Sequence, residues 1–161
     1  MRDIRRKEKA IHDENEMIQI LKECQYVTIA TCRDNQPYLF TVSHGYEQDK
    51  IYFHCASEGK KIDYLKANNT VWGQALLDRG YVQGKCDHLY ATCQFRGSIS
   101  FVEDPVEKRH ALEVMVHQRD SNPDEVIAEQ LTDKSISRIT IGRIDIDYMS
   151  GKKATKVIIS T

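Results

Sequence analysis

Two adjacent lysines, Lys60 and Lys61, follow a short aromatic run, Ile51-Tyr52-Phe53-His54, and the small or polar residues Cys55-Ala56-Ser57. The pattern predicts a strand over 51–54 and then a helix from Ser57 to about Asn68, with Ser57 as its N-cap and both lysines in the first turn. Backbone N–H groups left open at a helix start, with the positive end of the dipole, favour an anion. Lysines add charge of the same sign there, so their placement points to a phosphorylated cofactor gripped by charge-assisted hydrogen bonds. The competing reading is two solvated lysines on an exposed helix. His54, at the end of the aromatic strand, is a candidate proton donor or substrate contact, set against a hydrogen-bonded structural histidine. His44 is a weaker candidate of the same kind. Cys55 lies next to His54, but adjacent strand residues face opposite ways, so a small packed thiol is preferred to an activated nucleophile.

These side chains need a scaffold, and the surrounding residues describe one. Asp13 and Glu16 mark a capping-box start, and Met17, Ile20, Leu21 and Cys24 recur at helical spacing. Tyr26–Cys32 reads as a strand, Arg33–Gln36 as a turn, and Pro37 opens a return strand through Tyr46. With 51–54 this makes a three-strand meander. After the lysine helix come a strand over 70–77, a polar loop over 78–87, and a long strand over 89–102 with a bend or bulge at Gly97. Asp104-Pro105-Val106-Glu107 is a helix start, and that helix turns Leu112, Met115 and Val116 inward. A short helix over 124–131 follows the Asn122-Pro123 break. The last strand is expected over 135–149, with a bulge at Gly142-Arg143. Hairpins and short excursions join all the β pieces, so the fold class is mainly β: an antiparallel barrel with peripheral helices.

Composition bounds the rest. The chain has 161 residues, 40% of them hydrophobic, three prolines and a net charge of −1. That predicts one compact domain over 1–161, with 1–12 a flexible or partner-contacting N-terminal segment. Near-neutral charge argues against nucleic acid, and no run is long enough to span a bilayer. The basic N-terminus lacks the apolar stretch of a signal peptide. Five scattered cysteines without a CxxC pair fit reduced thiols and a cytoplasmic location. His110 and His117 share a helix face without a third ligand at metal spacing, so no metal site is expected. Trp72 and Tyr90 read as core or dimer contacts. The absence of GxGxxG and Walker patterns disfavours Rossmann and phosphate-loop folds.

The order and spacing of YVTIATCRDNQPYLFTVSHGY, DKIYFHCASEGKKIDYLKANN, YATCQFRGSISFVEDPVEKRHAL and ITIGRIDIDYMSGKKA resemble the pyridoxamine 5′-phosphate oxidase-like family of FMN-binding split barrels. The likeness covers Glu14 to Ala154 and is closest to the nitroimidazole-resistance, nitroreductase-like branch. It implies a homodimer of six-stranded antiparallel split barrels with FMN at the subunit interface. By position it implies that Tyr38, Leu39, Phe40, Thr41, Val42 and Ser43 line the flavin ring, partly through backbone amides. Phe53 and His54 would contact the ring edge and ribityl chain, and Lys60 and Lys61 the phosphate. Thr92 would reach the flavin from the partner, and Gly151-Lys152 matches a GK of the nitroreductase-like branch. Tyr38 stands where the oxidase itself has an arginine, and the arginine and histidine that grip pyridoxal phosphate have no counterpart. The implied activity is therefore reduction of a small electron-poor organic molecule, with NAD(P)H or another donor. A non-enzymatic flavin- or haem-binding carrier or sensor, and a deazaflavin reductase, are the alternatives.

Overall fold

The computed structural model describes residues 4–160. Six long strands form the barrel: β2 (Tyr26–Arg33), β3 (Gln36–Ser43), β5 (Lys50–Cys55), β6 (Thr70–Val82), β7 (Asp87–Val102) and β8 (Thr140–Lys153). Two short strands raise the expected six to eight: β1 (Ala10–Ile11), paired with β8, and β4 (Gly45–Glu47), paired with β5. The helices are α1 (Glu14–Glu23), α2 (Lys60–Ala67), α3 (Pro105–Arg119), α4 (Pro123–Gln130) and α5 (Asp133–Arg138), with a 3₁₀ turn at Lys7–Lys9. Every ladder is antiparallel, in the order β3-β2-β6-β7-β8-β5-β4. No ladder joins β3 to β5, so the barrel is split along that seam.

Val27, Ile29, Ile51, Phe53, Val71, Ala75, Phe95 and Ile144 fill the barrel, and Met17, Ile20 and Leu21 of α1 pack against them. A second apolar layer lies on the other side of β5 and β8. There Tyr52 and Ile141 meet Val102, Ala111, Leu112 and Met115, with Ile136 of α5. β5 is therefore covered on both faces, which is why Ile51, Tyr52 and Phe53 are buried in succession instead of alternating. Asp13 caps α1 through the Asn15 N–H, and Asp104 caps α3 through the N–H groups of Val106 and Glu107.

Several boundaries differ from the sequence reading. The return strand breaks at His44, whose ring is buried and bonded to the Leu21 carbonyl. The polar stretch 78–87 is the tip of a β6–β7 ribbon, held by backbone pairing of Tyr81 with His88 and Val82 with Asp87. Residues 133–138 are helical because Thr132 caps them through the Ser135 N–H, and Ile136 is buried beneath α3. The bulge in β8 falls at Asp147, where pairing passes from Arg96–Tyr148 to Gly97–Ile146. Gly142 has another reason to be glycine: an added Cβ would lie 2.4 Å from the Phe53 ring. Within the N-terminal segment, Ala10 and Ile11 are seated against β8.

Candidate functional site at the split seam

Strand alternation divides the six candidate residues on β3, Tyr38 to Ser43, into two sets. Tyr38, Phe40 and Val42 turn toward the barrel, while Leu39, Thr41 and Ser43 are exposed on the outer face of the sheet. β3 is also an edge strand, so the backbone groups on its free side have no ladder partner. Across the seam, Phe53 and Cys55 face inward from β5. The Phe40 and Phe53 rings are 6.2 Å apart, with Phe53 fully buried behind the seam.

α2 roofs this seam and begins later than the sequence implied. Gly59, not Ser57, is its N-cap, with φ +115°, and no side chain caps the helix. That conformation favours glycine, and an added Cβ there would meet nothing within 4 Å, so the space above the helix start is open. Asp63 N–H donates to the Gly59 carbonyl at 3.1 Å, leaving the N–H groups before it without an intrahelical acceptor.

The lysines lie over the aromatic wall. Lys60 Nζ is 5.1 Å from the Tyr38 ring centre and 5.7 Å from that of Tyr64, and the two rings are 5.0 Å apart. Lys61 Nζ is 5.2 Å from the Phe40 ring centre and 6.0 Å from that of Phe53. Among the described residues neither lysine ion-pairs with a carboxylate. Ring contacts of this kind are worth about 0.5–1 kcal/mol each, less than the roughly 1.5–3 kcal/mol of a hydrogen bond to a charged group. The rings station the ammonium groups without consuming their charge. An uncapped helix start and two uncompensated cations form a donor set that fits a phosphate.

The other candidates lie elsewhere. His54 is exposed on the face of β5 opposite Phe53, so within one chain it does not share the seam. Cys55 is packed against the core; burial pushes its thiol pKa up and favours the protonated form, an effect partly offset by the positive charge of Lys61. Thr92 and Lys152 are register partners on β7 and β8, and the Thr92 hydroxyl donates to the Lys152 carbonyl at 3.2 Å. They lie on the outer sheet face, with β2 and β6 between them and β3. The predicted residues thus fall into two groups in one chain. Tyr64 was not singled out from the sequence; its i, i+4 relation to Lys60 on a helix was the available signal.

His44 belongs to a structural latch. Its Nε2 lies 2.8 Å from the Leu21 carbonyl, which can only accept, so the proton sits on Nε2 and Nδ1 faces Arg119 at 3.5 Å. Gln118 joins the same latch, donating to the Lys22 carbonyl at 3.1 Å and accepting from Tyr46 N–H at 2.7 Å. Burial, aided by Arg119, pushes the His44 pKa down to about 4 from 6.5. The folded state favours neutral His44, so its contribution is complete above pH 6.5 and is lost as pH falls toward 4. Acidification across that window should remove up to about 3 kcal/mol, read as a falling Tm. His44→Gln should flatten this profile; an unchanged acid slope in the variant contradicts the assignment.

The family model described as pyridoxamine 5′-phosphate oxidase matches residues 13–153. No curated protein matches. Among solved structures, the chain is 26% identical to a candidate 5-nitroimidazole antibiotic resistance protein of Bacteroides thetaiotaomicron, with 89% of this chain and 86% of that one covered at a TM-score of 0.77. The flavocytochrome Anf3 of Azotobacter vinelandii shares the fold at a TM-score of 0.80 and 17% identity, over 99% of this chain and 75% of that one. An FAD and heme binding protein of Mycobacterium smegmatis shares it at 0.75 and 14% identity, over 95% and 76%.

Proposed function

The chain belongs to the pyridoxamine 5′-phosphate oxidase family, and from that premise we propose that it is a homodimeric FMN flavoprotein, an oxidoreductase acting on a small electron-poor organic substrate. The observation that carries this reading is the uncapped start of α2, with Lys60 and Lys61 held over aromatic rings and without carboxylate ion-pair partners among the described residues. A terminal phosphate monoester carries about −1.5 to −2 charge at neutral pH, which matches two ammonium groups at one helix start. The flavocytochrome and the FAD and heme binding protein support a flavin cofactor, and the candidate nitroimidazole resistance protein supports the substrate class.

When bound, the flavin supplies the redox chemistry. The chain's residues hold and orient it: Lys60 and Lys61 at the phosphate, Tyr38 and Phe40 as the wall, and the free edge of β3 as a source of backbone hydrogen bonds. Phe53 supports that wall from beneath. His54, facing away from the seam, is outside this arrangement.

The division of the site supports a partner copy. Thr92 and Lys152 can meet the seam only if a second copy supplies them. Tyr26, Leu39, Trp72 and Leu76 are 57%, 64%, 38% and 49% exposed on that same outer face, an uncommon grouping for a lone barrel. Leu76→Glu should convert a dimer to a monomer in light scattering and weaken FMN retention at the same time. A variant that stays dimeric with full FMN retention contradicts this interface.

The flavocytochrome and the FAD and heme binding protein favour one second reading, a flavin- or haem-binding carrier. The absorption spectrum of the purified protein tests both: flavin bands support the proposal and a Soret band the alternative. Turnover of a nitroaromatic with NAD(P)H then separates reductase from carrier.

A further inference from the structure

We propose that Lys9 and Lys152, set around the ring of Tyr90, form a docking site for the phosphoryl oxygens of a second, dinucleotide-type substrate. Two ladders bring these residues together from distant parts of the chain. β1 pairs with β8 so that Ala10 lies opposite Lys152, which puts Lys9 beside it. β7 pairs with β8 so that Thr92 lies opposite Lys152, and Ala154 N–H donates to the Tyr90 carbonyl at 2.9 Å. Lys9 Nζ is 5.7 Å and Lys152 Nζ 6.0 Å from the Tyr90 ring centre.

The charge there is largely uncompensated among the described residues, the Glu8 carboxylate feeling Lys9 only as the weakest of its influences. Lys153, next in sequence, pairs with Glu16 at 2.6 Å, and Arg6 pairs with Glu8 at 2.7 Å. Lys9 and Lys152, both half-buried, have no such partner among the described residues. Two like charges drawn to one ring repel each other, and an oxyanion between them relieves the repulsion while gaining charge-assisted hydrogen bonds. A diphosphate, with charge on both phosphoryl groups, suits two ammonium groups better than a monoanion does. In the proposed dimer this edge, marked by Thr92, faces the partner's seam. The assignment to a second substrate rests on that reading; anion binding itself does not.

The test is calorimetric titration of inorganic pyrophosphate and of NADH into the full-length chain. It uses the K60A/K61A background, so that the α2 start takes no anion. Adding K9Q/K152Q should raise both Kd values at least 10-fold, and K9R/K152R should keep both near those of the lysine parent. Equal binding of either probe to the glutamine and lysine forms overturns the proposal. The pyrophosphate arm needs no flavin, so a wild-type chain that fails to take up FMN refutes the flavin reading without touching the anion site.

Discussion

Replacing Lys60 and Lys61 together by alanine weakens FMN binding by on the order of 100-fold or more, while the protein keeps its fold. Each lysine stands to contribute a hydrogen bond to a doubly charged group, worth roughly 1.5–3 kcal/mol, and the two losses fall on one ligand. The fold is spared because Lys60 is exposed, Lys61 is half-buried and neither ion-pairs with a described residue. What the variant forfeits in the free protein is ring contact worth about 0.5–1 kcal/mol each, with two rings beside each lysine. Fluorescence titration of the refilled apoprotein measures the change. Wild-type affinity in the double variant would mean that the ammonium groups do not touch the ligand.

Gly97→Ala produces the largest expected loss of stability, about 3 kcal/mol, near the upper end of overpacking costs. The added Cβ would sit 2.3 Å from the Asp145 carbonyl oxygen and 2.9 Å from Ile144 Cγ2. The first of these is backbone on the neighbouring strand, so no side-chain rotation relieves it. β7 and β8 must separate at the point where the Asp147 bulge already breaks their register. For a chain of this size the thermal midpoint should fall by roughly 10 °C. Gly142→Ala is the informative comparison, since its clash is with the Phe53 side-chain ring and not with backbone. A Gly97→Ala protein as stable as wild type would show that the two strands are not so close.

Much of this architecture was legible wherever local chemistry and tertiary contact agree. Asp13 and Asp104 announce their helices because a carboxylate at an N-cap has one strong use, and both make it. Gly97 announces its bulge because a strand glycine signals close backbone approach. The reading failed where tertiary contacts decide. Ser135 to Arg138 reads from sequence as the start of the last strand, yet Ile136 and Ile139 are three apart, and the Thr132 cap with the burial of Ile136 beneath α3 makes 133–138 helical. The β6–β7 tip carries no apolar alternation because both its faces meet water, so nothing in composition marks it as paired.

At the candidate site, the lysines were legible from charge set against the helix dipole, and Tyr64 only from its spacing to Lys60. Sequence likeness marks the strand 38–43 as one wall, whereas alternation sends Leu39, Thr41 and Ser43 outward and only Tyr38, Phe40 and Val42 inward. The same alternation turns His54 away from Phe53. Which side faces the seam depends on which strands close the barrel, and that is set by long-range pairing.

The most direct measurement compares FMN with riboflavin, which differ only in the phosphate, on the wild-type protein and on K60A/K61A. If the start of α2 holds the phosphate, the wild type prefers FMN by on the order of 100-fold and the double variant binds the two alike. A wild type that binds both equally, or a variant that keeps the full preference, contradicts it.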